Sequence, residues 1–543
     1  MLTTLAAPAF AGTWYIEDGD ITVKASDTGN DVTQKDKTTY GDKDTIITNR
    51  NEGTSSSNTV TIEAEKKDDK VEVTLKDVNI DTSSRNKAAV SVTGEGDTNI
   101  KLNGDNALKS DIYRSGIYGS GSGSLTISGG ENDSLTAQGG AGGSGIHISR
   151  NGSLTISGGT VTANGDDGGS GIYSSNSSSV TISGGMVTAN GGSGNISGGD
   201  GIYSDSGDVT ISGGTVKATG GGSTGSNGFG GDGICSDSGG VTISGGTVKA
   251  TGGNGDYSGG DGISSSDRVA ISGGTVTANG GDSSSRNGAS GISSSSGVTV
   301  SGGTVTANGG NGDYNGGSGI SSFDRVAISG GTVNATGGDS TGSDGGGGDG
   351  ISSSGIDLSG SLELTAKAGS PNGKALSQKG SELVLDTIKD KLGPGAKVTA
   401  TDADGKVIDQ VPIPRPVEPE GPVIPEESSS SSDGGSAAPS APAFSLPGLT
   451  VTDKDGQRIS YTSTQSGNTL TVCVGRLTAS FRISLAALRQ LRAEGIETIT
   501  FQTILCSTTL SLDELLAMGG EDAEVVLTHH IRSSTLTVGG KDV

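Results

Sequence analysis

The chain has 543 residues, 100 of them glycine, with 3% aromatic and 29% hydrophobic residues and a formal charge of −25. So few bulky side chains exclude a conventional globular core, and taken alone the composition would read as disorder. The acidity excludes nucleic acid and anionic membrane as natural partners, and it also simply keeps a long chain soluble.

Met1–Ala11 ends in a small-x-small pattern before Gly12. It reads as the tail of a secretory signal with Ala11 the last residue removed. A basic start is missing and the apolar part is short, so a fortuitous Ala-rich opening is the competing reading. Nowhere does an apolar run approach the ~20 residues of a membrane span. Residues 12–115 are irregular but strand-rich: Ile21-Thr22-Val23, Val60-Thr61-Ile62, Val71–Leu75 and Ile100-Lys101-Leu102 alternate. They read as first coils and a cap, because terminal repeats are atypical. Trp14 and Tyr15 are expected to plug the open end, with sugar stacking by Trp14 as the alternative.

Residues 116–405 carry the repeat that organises the chain. Gly-Ile recurs at Ile117, Ile146, Ile172, Ile202, Ile234, Ile263, Ile292, Ile320 and Ile351, about 26–32 residues apart. A Thr-Ile-Ser-Gly-Gly element follows in register at Ile127, Ile156, Ile182, Ile211, Ile243, Ile271, Val300 and Ile328. The apolar period is two, so each copy reads as three short strands with glycine corners. One such unit cannot bury its own aliphatics, but stacked units can. The expected fold is therefore all-β: a parallel β-helix of about nine regular coils plus irregular flanking coils. A propeller blade needs about 40–45 residues and fits less well. Asn164, Asn190, Asn279 and Asn308 share one corner and can stack as a ladder.

From Ile356 the repeat degrades. Leu362-Glu363-Leu364 and Leu383-Val384-Leu385 read as final coils, and Asp386–Leu392 as a short capping helix. Residues 406–447, rich in Pro, Ser and Glu, read as an extended spacer. Residues 448–543 form a small α+β domain in this reading. Ser484 caps a helix to about Glu494, and Ser511 with Glu514 forms a capping box over a second. Three cysteines, Cys235, Cys473 and Cys506, exclude a disulfide scaffold, although Cys473 and Cys506 can pair in an exported protein. His529-His530 reads as one exposed and one packed histidine at a strand end rather than a metal pair.

The N-terminal phrases Val73–Ile80 and Leu102–Ser110 precede Gly116-Ile117, Leu125–Gly129 and the Ser-Gly-Gly-Thr-Val-Thr-Ala rungs. In this order they resemble the secreted parallel β-helix proteins of Gram-positive bacteria named carbohydrate-binding domain-containing proteins. The resemblance covers roughly residues 14–405. It implies non-catalytic binding of a polysaccharide, an acidic plant-type polymer such as polygalacturonate in relatives, with calcium associated. No metal ligand of those relatives maps residue by residue onto this chain.

The surface positions available for such a role lie in the loops. Asp200, Asp232, Asp261 and Asp349 stand just before the Gly-Ile glycine, where stacked aspartates and carbonyls can hold Ca²⁺ through hard oxygens. Tyr173, Tyr203, Tyr257 and Tyr314 can stack on sugar faces. The same residues also serve as plain turn formers and solvated tyrosines. His147, the one histidine of the repeat, reads as an ordinary exposed residue. Arg268 and Arg325, after Asp267 and Asp324, read as repeated surface ion pairs. No carboxylate cluster with a poised base stands out, so an enzyme is not expected. The leading expectation is a monomeric polysaccharide-binding protein, secreted or at the cell surface. The alternative is a structural stalk or adhesin displaying the C-terminal domain.

Overall fold

The computed structural model of the chain describes residues 12–412 apart from 52, and 449–542 apart from 454–457, 460, 467, 475–477, 494, 504–506, 519–522, 530–533 and 540. The chain divides into two compact units at residues 421/422. Among the described residues, no helix is long and apolar enough to cross a membrane. The signal-like segment and most of the Pro/Ser/Glu-rich stretch lie outside the described residues.

The first unit is a parallel β-solenoid of about 15 turns. Its Gly-Ile strands pair in parallel and in register, so that Ile117, Ile146, Ile172, Ile202, Ile234, Ile263, Ile292, Ile320 and Ile351 form one file. Val90, Val60 and Ile21 continue this file upstream and Leu376 downstream. The Thr-Ile-Ser strands and the Thr-Val-Thr strands stack in the same way. Every isoleucine of the first file is fully buried, within one continuous core cluster. Period-two alternation is what makes this possible: aliphatics enter the lumen, while Thr, Ser and Asn face outward.

Glycine is needed where coils meet most closely. At the Ser-Gly-Gly corner, Gly185 has φ +75°, and a Cβ on Gly184 would lie 2.4 Å from the Ser157 carbonyl oxygen. No side chain fits there, which is why the dipeptide recurs. At the next corner the asparagines form two short ladders rather than one. Asn190 Nδ2 donates to Asn164 Oδ1 at 2.8 Å, and Asn308 Nδ2 to Asn279 Oδ1 at 2.8 Å. Thr219 and Thr251 occupy the intervening coils and interrupt the file.

An antiparallel meander, Ile21–Ser26, Gly29–Gln34 and Lys37–Asp42, closes the N-terminal end, with Val32 of its middle strand buried. Trp14 packs half-buried on the core, and its indole N–H donates to Asp42 at 2.8 Å. Tyr15 does not enter the lumen. The Arg50 guanidinium lies 4.4 Å over its ring, on the surface. At the other end, Leu362-Glu363-Leu364 belongs to the strand Ile351–Lys367. Leu383-Val384-Leu385, in contrast, is not a coil strand. Leu385–Thr387 and Lys389–Lys391 are two single 3₁₀ turns rather than one helix. Val407–Pro412, within the expected spacer, folds back as a strand antiparallel to Lys397–Thr401, because Val411 finds apolar cover on the core.

The second unit has its own core and two sheets. One runs Leu449–Thr452, Ala479–Ser484, Glu524–His529, Ser534–Val538, Lys541–Asp542; the other runs Thr462–Ser466, Thr469–Cys473, Thr498–Gln502, Ser507–Ser511. Helix α1 is Leu485–Ala493 and α2 is Leu512–Ala517, joined by a two-pronged Arg492–Asp513 ion pair. The Ser484 hydroxyl accepts the Ala487 amide at 3.2 Å, and the Ser511 hydroxyl that of Glu514 at 3.5 Å. His529 is buried with Nε2 2.9 Å from the Thr508 hydroxyl, while His530 lies outside the described residues. Cys473 is a free thiol, and Cys506 lies outside the described residues.

Candidate functional site

Because inward positions are alike in every coil, differences must sit on the outside. Three places carry them. The first is the outer face of the Gly-Ile strands, one residue after each isoleucine, where register stacks Tyr118, His147, Tyr173 and Tyr203. Their ring centroids lie 5.2, 4.5 and 5.3 Å apart in that order. The first contact is edge-on; the other two are tilted by 34° and 30°. Tyr173 is therefore covered on both faces by its neighbours and presents an edge to solvent. Tyr203 ends the ladder, and its hydroxyl donates to Asp237 at 3.1 Å. Burial, helped by the Asp237 charge, pushes this phenol up.

His147 is not the exposed residue that its sequence context suggests. Its ring is half-buried between Tyr118 and Tyr173, and burial pushes its pKa down to about 4, so it is neutral at physiological pH. The signal that could have placed Tyr118 and His147 with the tyrosines is their common position after the isoleucine. Beyond Tyr203 the same file continues as Cys235, Ser264, Ser293, Ser321 and Ser352. Cys235 is buried, and burial together with the Asp232 and Asp200 charges pushes its thiol up, so it stays protonated and unreactive.

The second place is the aspartate file. Asp200, Asp232 and Asp261 stand on three successive coils, each half-buried. The Asp232 amide donates to Asp200 Oδ1 at 2.5 Å, the Asp261 amide to Asp232 Oδ1 at 2.6 Å, and the Ser290 amide to Asp261 Oδ1 at 2.6 Å. Asp349 uses its carboxylate in the same way toward the Lys374 amide at 2.9 Å, but Ser290 and Ser318 separate it from the other three. Burial raises Asp200 and Asp261 to about 6 and Asp232 well above the usual range. Among the described residues, no three His, Cys, Asp or Glu side chains converge on one point. The four aspartates thus do not form a common calcium cage. Each spends an oxygen on an inter-coil amide bond instead.

The third place is a lateral shelf, built by the long loops that follow the Thr-Val-Thr strands and tied by single bridges between coils. A cleft of about 450 Å³ opens here, lined by Ser223, Thr224, Asn254, Asp256, Asp282 and Ser284, among others. Asp256 accepts from the Asn227 amide at 2.7 Å and the Ser284 hydroxyl at 2.8 Å, and these bonds hold its carboxyl below the usual range. Tyr257 is packed by Phe229, with centroids 5.1 Å apart, and by the Arg286 guanidinium, 4.5 Å from its centroid. Tyr314 lies one coil beyond Arg286, two beyond Tyr257, and is 55% exposed. Of the four tyrosines singled out by sequence, Tyr257 and Tyr314 share this shelf, whereas Tyr173 and Tyr203 share the ladder. Neither Phe229 nor Arg286 belongs to a repeated phrase, so the sequence pattern does not mark them.

Two cations lie on strands that lead into the shelf loops. Lys217 and Lys249, the only lysines between residues 116 and 353, lie in register on neighbouring Thr-Val-Thr strands and are exposed. Like charges directly opposite destabilise a sheet slightly, so the pairing has no structural benefit. The expected Arg268 and Arg325 pairs differ from expectation. Arg325 reaches forward to Asp357 at 3.7 Å rather than to Asp324, and no described ion pair involves Arg268.

A family model described as beta helix repeat matches residues 154–172, 180–201, 209–234, 241–267, 269–296 and 298–322. These segments are the regular coils that build the aspartate file and the shelf. No match is found among curated proteins or among solved structures. Fold and repeat together define a parallel β-helix repeat protein.

Proposed function

We propose that this protein binds polysaccharide outside the cell, without cleaving it, on the lateral shelf of its solenoid. The observation that carries this reading is the polar cleft lined by Asn254, Asp256 and Asp282 on the loops that also hold the Phe229–Tyr257–Arg286 stack, with exposed Tyr314 on the loop of the following coil. Amide and hydroxyl groups match sugar hydroxyls, and an aromatic edge beside them supplies apolar contact. Arg286, with Lys217 and Lys249 on the strands leading into the shelf, favours an acidic polymer over a neutral one. Asp256 and Asp282 are the carboxylates through which calcium would bridge to such a polymer, as a shared ion rather than a caged one.

A binding role accords better with the cleft than hydrolysis does. A glycosidase needs a carboxyl with a raised pKa to protonate the leaving oxygen. Asp256 is held in the opposite direction, and the carboxyls that are raised, Asp200, Asp232, Asp261 and Glu382, do not line the cleft. The signal-like Met1–Ala11 segment supports the extracellular placement.

A glycan array probed with the full chain, first with calcium and then with chelator, tests the reading. Acidic polysaccharides should be retained, and Arg286→Ala should weaken binding at least about tenfold, the worth of one charged hydrogen bond. No binding to any glycan, with cell or protein binding by the C-terminal unit instead, would establish the stalk reading.

A further inference from the structure

The aspartate file holds like charges where nothing balances them. Asp232 faces Asp261 and Asp200 on the coils either side, together with the Cys235 thiol. Asp200 faces Asp237, and Asp261 faces Asp232 and the Ser293 hydroxyl. Tyr203, bonded to Asp237, and Asp205 complete the acidic neighbourhood. Every ionisable group facing the file is thus acidic or neutral. Carboxylates about one strand spacing apart, some 4.8 Å along the stack, repel one another strongly once they leave bulk water.

The hydrogen bonds define what protonation does. Each Oδ1 accepts an amide of the following coil at 2.5–2.6 Å. A proton on the other oxygen leaves those bonds intact and removes the repulsion. We propose that Asp200, Asp232 and Asp261 form an acid-tightened clasp: protonated, they hold the coils from residue 200 to 292 together, and ionised at neutral pH they loosen that section alone.

The direction follows from linkage. Asp200 and Asp261 bind protons more tightly in the folded chain, at about 6, than at the ordinary value of 3.8. The stability they contribute is fully present below that ordinary value and is lost as pH rises through about 6. The neighbouring coils, which carry Ser290 and Ser318 in the same file, have no such term.

Hydrogen–deuterium exchange on the full chain at pH 4.5 and 7.0, scaled for intrinsic exchange, tests this without any glycan. Peptides within 200–292 should lose protection at pH 7.0 at least about tenfold more than peptides within 298–336, whose coil carries Ser318 in the file. Replacing Asp200, Asp232 and Asp261 together by Asn should abolish the difference, and so should replacing all three by Ser, the residue the file already tolerates at Ser290 and Ser318. Equal pH response in both regions, or a difference that survives both substitutions, would overturn the clasp. Neither outcome bears on whether the shelf binds polysaccharide.

Discussion

The Gly-Ile strands before Tyr203 and those after Cys235 share backbone, register and buried isoleucines, yet their outer files have nothing in common. The earlier coils carry Tyr118, His147, Tyr173 and Tyr203; the later ones carry Ser264, Ser293, Ser321 and Ser352. Ile172 and Ile320 are both fully buried. The inward position is fixed by a narrow lumen, while the outward one is free to be aromatic, polar or charged. Identical scaffolding on both sides of Cys235 means that chemistry is distributed by the outer files alone.

The strongest way to break this comparison is inside the lumen. Ile172→Ala and Ile320→Ala should each cost about 2–5 kcal/mol, and the two losses should agree, because both leave the same hole. Urea unfolding followed by local hydrogen exchange measures both. Unequal losses would mean that the aromatic ladder stiffens the earlier coils from outside. A smaller effect is expected from the ladder itself. Tyr173→Ser imposes the later coils' residue on the earlier ones and removes two ring contacts, costing about 1–3 kcal/mol. The reciprocal Ser321→Tyr, flanked by Ser293 and Ser352, should gain almost nothing, and a melting curve separates the two.

Much of this was legible in the sequence because a period-two repeat with glycine corners leaves a stack as its one economical solution. The buried isoleucines, the three strands per coil and the two helices of the second unit follow from patterns within a few residues. The surface was harder to read. Asp200, Asp232 and Asp261 stand out as a repeated position, but whether their oxygens meet an ion or an amide depends on coil-to-coil distance, which spacing in sequence does not give. In sequence Tyr173 and Tyr257 offer sugar platforms, yet neighbours on adjacent coils cover their faces. His147 shows the same gap: its identity suggested an isolated surface residue, and only the register reveals the ladder. Likewise Val407–Pro412 looks like spacer until Val411 is seen to need cover.

The N-terminal coils sharpen the contrast through pH. There Asp20, unlike Asp200, has cations beside it: Arg85 at 2.7 Å and Lys87 at 3.4 Å. Burial works against the charged form, but the Arg85 hydrogen bonds and the Thr59 amide outweigh it and bring Asp20 down to about 2. A lowered carboxyl contributes stability that is present above about 3.8 and lost as pH falls through about 2, the reverse of the aspartate file. Acidification from pH 4.5 to 2 should therefore reduce protection in peptides around Asp20 while leaving those around Asp261 unchanged. Arg85→Ala should remove most of that acid sensitivity at a cost of no more than about 1 kcal/mol at pH 7, since the pair is partly exposed. If the two regions respond to acid with the same sign, the outer files do not govern local stability, and the separation between a uniform interior and an independent exterior fails.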